Sequence, residues 1–142
     1  MGMIMMKEPE PGQTQPSLLL RIRDGRLDES VRSGRRAREI YEHVLGAQPR
    51  LDSGRLGLIS ALSNTSEALR EQGQFAAAVE PIEKAVEIAR ERARELPEDS
   101  DRQARLAATL SELAGVCRKL GRSTDAECHE REAAALRPKP GE

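Results

Sequence analysis

Cys117, Cys128 and His129 are the residues of this 142-residue chain whose types could hold a metal or carry redox chemistry. Tetrahedral zinc takes about four ligands, often at CxxC or HxxxH spacing. Here two thiols stand eleven apart with one imidazole beside the second, so the ligand set falls short and no metal or cofactor is expected. Cys117 falls on an apolar stripe and reads as a small core residue. Cys128 and His129 read as surface or interface groups. His43, near Tyr41, has no Ser, Cys or Asp arrangement around it of the kind a catalytic triad needs, and the chain carries no glycine-rich phosphate loop. No catalytic residue is assigned, and a non-enzymatic protein is expected. The arginines offer a different chemistry. Arg70 and Arg118 stand in one register 48 residues apart, where each could pair with a carboxylate or the backbone oxygens of an extended peptide.

Something must position those arginines, and composition limits what it can be. Tyr41 and Phe75 are the only aromatics, so the core is built from Leu, Ile, Val and Ala, which suits slim helices packed closely rather than a sheet sandwich. Lys and Arg number 23 against 24 Asp and Glu, a balance without the basic excess that a nucleic-acid surface requires. No run of 18 apolar residues exists, so no membrane span is expected. The opening MGMIMMK is too short and lacks the basic lead of a secretory signal, which makes a reducing cytoplasm the expected compartment. Residues 1–16, with Pro9, Pro11 and Pro16 among polar neighbours, read as a flexible tail, as do residues 139–142.

Self-comparison finds a period of 48. Gly25, Gly73 and Gly121 superpose, as do Ala37, Ala85 and Ala133, Pro49 and Pro97, and Leu62 and Leu110. The matches fall on turn and packing residues, so the period marks a recurring unit of two helices. Leu106, Leu110, Leu113, Cys117 and Leu120 follow spacings of 4, 3, 4 and 3 and line one stripe of a helix. Gly73 and Gly121 each end such a helix, because glycine accepts the left-handed conformation that closes it. The returning helix from Phe75 turns Ala78, Ile82, Ala85, Val86, Ala89 and Ala93 inward and carries Pro81. It either runs through that proline with a local bend or starts there, and the inward spacing of Phe75 and Ala78 favours the first.

The resulting map has a stub helix near 17–24, then helices over 27–47, 53–72, 75–96, 101–120 and 124–136. Pro49 and Pro97 stop two of them, while Asp52, Ser53, Asp99 and Ser100 offer N-cap oxygens. Short connections make neighbours antiparallel. EKAVEIARERARE reads as a solvated face of mixed charge.

The stretch from Leu62 to Ala85, with L-x2-T-S-x2-L, Gly73 and A-x3-I at Ala78 and Ile82, resembles the tetratricopeptide repeat, and so does the next unit through Ala133 and Pro138. Its period is longer than the family's usual 34 residues, and the resemblance is to the long-helix variety seen in large bacterial multidomain proteins. It implies an all-α fold in which antiparallel helix pairs stack as a short right-handed α-solenoid over residues 17–138. It also implies a protein-interaction scaffold whose leading helices line a concave groove for a peptide or helix. Candidate groove residues are Ser63, Asn64, Glu67, Arg70, Glu71, Ser111, Glu112, Arg118 and Lys119. A docking arm of a bacterial signalling protein, such as a serine/threonine kinase, is the alternative reading. The chain holds about two and a half units where about three are usually needed, so its incomplete first unit reads as a piece of a longer array or a place of self-association.

Overall fold

A computed structural model of the chain describes residues 11–137, with side-chain surroundings from residue 17 onward. Five helices follow one another: α1 (Pro11–Ala47), α2 (Asp52–Glu71), α3 (Phe75–Glu95), α4 (Ser100–Lys119) and α5 (Ser123–Leu136). Each packs on the next, and no strand occurs among the described residues, as the sequence leads one to expect of stacked helix pairs. Among the described residues no helix is long and apolar enough to cross a membrane.

The turns obey local chemistry. Gly73 and Gly121 adopt φ of 78° and 76°. Past Gly73, the amide of Gln74 donates to the Leu69 carbonyl at 2.8 Å. Past Gly121, the amide of Arg122 donates to Cys117 at the same distance. This pattern satisfies carbonyls that a helix end otherwise leaves open, and only glycine enters the left-handed region without a Cβ penalty. The helix α3 starts at Phe75 and contains Pro81, which is buried. That proline gives up one backbone donor.

The core is one apolar cluster running through all five helices. Leu62, Ile82, Ala85, Ala89, Leu110 and Ala126 are fully shielded from solvent, so the inward stripes lie where the periodicity puts them. Close approach replaces aromatic bulk. A Cβ at Gly57 would stand 2.3 Å from the Tyr41 ring, so the missing side chain lets α2 lie directly against α1.

Three expectations are corrected. The stub helix and the break at Gly25 do not occur: α1 is continuous from Pro11 to Ala47. At Gly73 and Gly121 two helices pack on each other and the turn is held by that packing. Residues 17–24 have no such partner among the described residues, so the unbroken ladder of backbone bonds prevails. The tail expected over residues 1–16 lies outside the described residues over 1–10, and its last six belong to α1. Residues 138–142, with the expected end tail, lie outside them too. Asp99 caps α4 by accepting the Arg102 amide at 3.1 Å, but Asp52 is the first residue of α2 and caps nothing. Its carboxylate is engaged elsewhere.

Candidate functional site

Successive leading helices α2 and α4 touch only lightly, while α3 packs on both. Between them lies a cleft of about 820 Å³. Ser60, Ser63 and Asn64 line it from α2, and Arg105, Ala108 and Glu112 from α4. Of the residues expected at a groove, Ser63, Asn64 and Glu112 are therefore brought together. Arg70 joins them at one end, its guanidinium lying against Gly115 where a Cβ would come within 2.8 Å of Nη2.

The others go elsewhere. Arg118 is spent on Glu130 of α5, to which its Nε and Nη2 each donate at 2.7 Å. The shared register of Arg70 and Arg118 thus does not make them equivalent. Lys119 lies over the Phe75 ring, 5.9 Å from its centroid. Ser111 accepts from Arg137 at 3.1 Å. Glu67 and Glu71 open onto a different trough, between α1 and α2.

An ionic cluster underlies the cleft toward one end. Arg92 donates from Nε and Nη2 to the two oxygens of Asp52 at 2.8 and 3.1 Å. Arg55 grips Glu95 at 2.7 and 2.9 Å and reaches Asp52 at 3.2 Å. Arg102 adds bonds to the Arg92 carbonyl at 3.0 Å and to Glu95 at 3.1 Å. Arg55 and Arg92 are both only 5% exposed. The hydrogen bonds from Arg92 hold Asp52 at a pKa of about 2, and those from Arg55 do the same for Glu95.

The solvated face expected of the α3 charges holds for Glu83, Glu87, Glu91 and Arg94, which are exposed, but the cluster takes Arg92 inside and engages Glu95. A signal was present: Arg92 stands three residues past Ala89 and beside Ala93, squarely on the buried stripe. Arg92, Arg102 and Arg105 all line the cleft, and sequence reasoning named none of them as groove residues.

Glu112 shifts the other way. Burial pushes its pKa up against the Ser63 hydroxyl, which favours the carboxylate, and nearby Glu67 adds to the rise. A group with a raised pKa contributes stability at low pH and loses it as pH rises through the folded value. Glu112→Gln keeps the shape and the partner but removes the charge. Its melting temperature should exceed wild type at pH 7, with the gap closing toward pH 4. An equal gap at both values would remove desolvation of the carboxylate as the cause.

The thiols are placed apart in character. Cys117 is buried in α4, with its pKa raised mainly by burial, and Cys128 is exposed on α5. Among the described residues no cluster of three His, Cys, Asp or Glu side chains is disposed to hold a metal ion.

Searches of curated proteins and of solved structures return no match. A family model does match, over residues 58–93, which spans most of α2 and nearly all of α3 and is described as a tetratricopeptide repeat. The matched pair is the one joined by the Gly73 turn, with Ser66 donating to the Ala78 carbonyl at 2.8 Å across its seam. This central helix pair, 36 of the chain's 142 residues, is what is similar to the tetratricopeptide repeat.

Proposed function

We propose that the chain is a non-enzymatic interaction module whose cleft between α2 and α4 receives a peptide or helical segment of a partner protein. Tetratricopeptide repeats generally mediate protein–protein interaction. The observation that carries the reading is the splaying of α2 from α4, which leaves a long polar-walled cleft over a rigid floor. Arg92 and Arg102, pinned by carboxylates, make that floor. Asn64 and Arg105 stand exposed at its rim, free in orientation to meet a backbone or a carboxylate. A pre-formed floor lowers the ordering cost of binding.

The test begins with a displayed peptide library panned on the protein. Amide shifts produced by an enriched peptide should run along α2 and α4. Arg105→Glu should weaken that peptide about tenfold, the loss expected of one charge-assisted bond. Arg118→Glu should change affinity little, because Arg118 is tied to Glu130. Shifts confined to α3 and α5, or equal losses in both variants, would place binding elsewhere.

A further inference from the structure

Four large apolar side chains within five residues of α1 face solvent: Leu18, Leu19, Leu20 and Ile22 are 56%, 64%, 52% and 44% exposed. Among the described residues nothing covers them. Beside them the surface holds a trough of about 470 Å³ between α1 and α2, walled by Leu27, Ser30 and Ala37 on one side and Ala61 and Ala68 on the other.

The 48-residue register says what that trough is for. Leu27, Ser30 and Ala37 stand at the positions of Phe75, Ala78 and Ala85 on α3, the helix on which α2 lies with Ser66 bonded to Ala78. The trough is thus the berth of a leading helix. Set back 48 from α2, leading-helix register covers residues 4–23, of which 17–23 have described side chains. Leu18 stands where α2 and α4 bury Ser66 and Ala114, and Leu20 where they bury Ala68 and Val116. Because α1 runs straight through Gly25, it carries this segment away from its own berth, by roughly 12 Å over eight residues. Arg23 fixes that direction by donating to the Glu71 carbonyl at the end of α2, at 3.2 Å.

We propose that the berth is filled by the same segment of a second copy, so that two α1 helices cross antiparallel near Gly25 and each completes the other's first repeat. Two further features fit a second copy. In the α2–α3 pair residue 66 meets residue 78, so the centre of that antiparallel pairing is residue 72, and 48 earlier it is residue 24. A pairing centred there is its own two-fold image, with Leu18 of each copy against Ser30 of the other. Gly25 beside the centre has nothing within 4 Å of a built Cβ, which leaves room for the crossing backbone. Charge agrees as well. Residues 17–23 carry Arg21 and Arg23, a net of +2, while residues 24–30 carry Asp24, Asp28 and Glu29 against Arg26, a net of −2. Antiparallel pairing sets the first against the second, and parallel pairing sets like against like.

Sedimentation of the full chain should show a species of twice the chain mass that Leu18→Asp/Leu20→Asp converts to monomer with unchanged helix content. In a Cys128→Ser background, Leu18→Cys protein mixed with Ser30→Cys protein should form cross-linked pairs with a short bismaleimide. Leu18→Cys protein alone should not. Monomer at every concentration, cross-linking of Leu18→Cys copies to each other, or a Leu18→Cys/Ser30→Cys chain that links only within itself would each overturn the proposal. The last outcome would mean that α1 breaks at Gly25 and folds back on its own chain.

Discussion

Leu110→Ala is expected to cost about 3 kcal/mol, within the range for a fully buried leucine whose loss leaves a cavity. Leu110 has no solvent exposure and sits on the inward stripe of α4. For a chain of this length that corresponds to a fall of about 10 °C in melting temperature. Packing in the stack is mainly between successive helices, with α4 between α3 and α5, so the loss should not stay local. Hydrogen exchange should show α5 losing protection first, because it packs on α4 alone apart from the Arg90–Glu132 pair to α3, and it buries little more than Ala126 and Ala133. Leu18→Ala provides the contrast, since its side chain is 56% exposed within one chain. In dilute monomeric protein that change should leave the melting temperature within about 1 °C, the usual outcome for surface sites. A Leu110→Ala protein that melts with wild type would mean that α4 does not seal the core.

Asp52→Ala should produce the second large effect. It leaves Arg92, 5% exposed, without its carboxylate and deprives Arg55 of one of its two. Removing one partner of a buried pair costs about 3–5 kcal/mol. The Asp52 side chain is itself 40% exposed, so solvent offsets part of that and about 2 kcal/mol is expected. The pH dependence identifies the cause. Asp52 and Glu95 have folded pKa values lowered to about 2 from ordinary values of 3.8 and 4.5. A lowered carboxylate pKa contributes stability above the unfolded value and loses it as pH falls through the folded one. Wild type should therefore weaken steadily from about pH 4.5 down to about pH 2. Asp52→Ala should be less stable at pH 7 and show a shallower acid slope, so that the two melting curves draw together near pH 2. Parallel slopes would show that Asp52 acts through packing and not through its charge.

The cluster also bears on the proposed binding surface. Arg92 and Arg102 line the cleft while their guanidinium groups are engaged by Asp52 and Glu95. Acid that releases those carboxylates should loosen the floor of the cleft together with the joint between α3 and α4. The same arginine chemistry links the trailing helices along the stack. Arg38 of α1 holds Glu80 of α3, and Arg90 of α3 holds Glu132 of α5. These pairs are more exposed, and they fix the register of the stack more than its stability.

Much of the architecture was legible because it is decided within a few residues. A glycine after a leucine stripe, a proline two residues beyond a helix end and a 3.6-residue spacing of apolar side chains act over one turn of chain. The helix ends at Glu71, Glu95 and Lys119 accordingly fall within one residue of their expected places. Asp99 caps α4 for the same reason. Part of the cleft was legible too, since Ser63, Asn64 and Glu112 follow from the outward side of the leucine stripe.

What the tertiary structure alone decided are the matters that depend on a distant partner. Gly25, Gly73 and Gly121 share one register, yet Gly25 stays helical, because a turn survives only where two helices close on it. Arg118 leaves the groove for Glu130, twelve residues on. Arg92 is drawn inside by Asp52, forty residues earlier, in a pairing that no spacing along α3 announces. Periodicity fixes which face of a helix turns inward, whereas the identity of what waits there is set by packing between segments far apart in the chain.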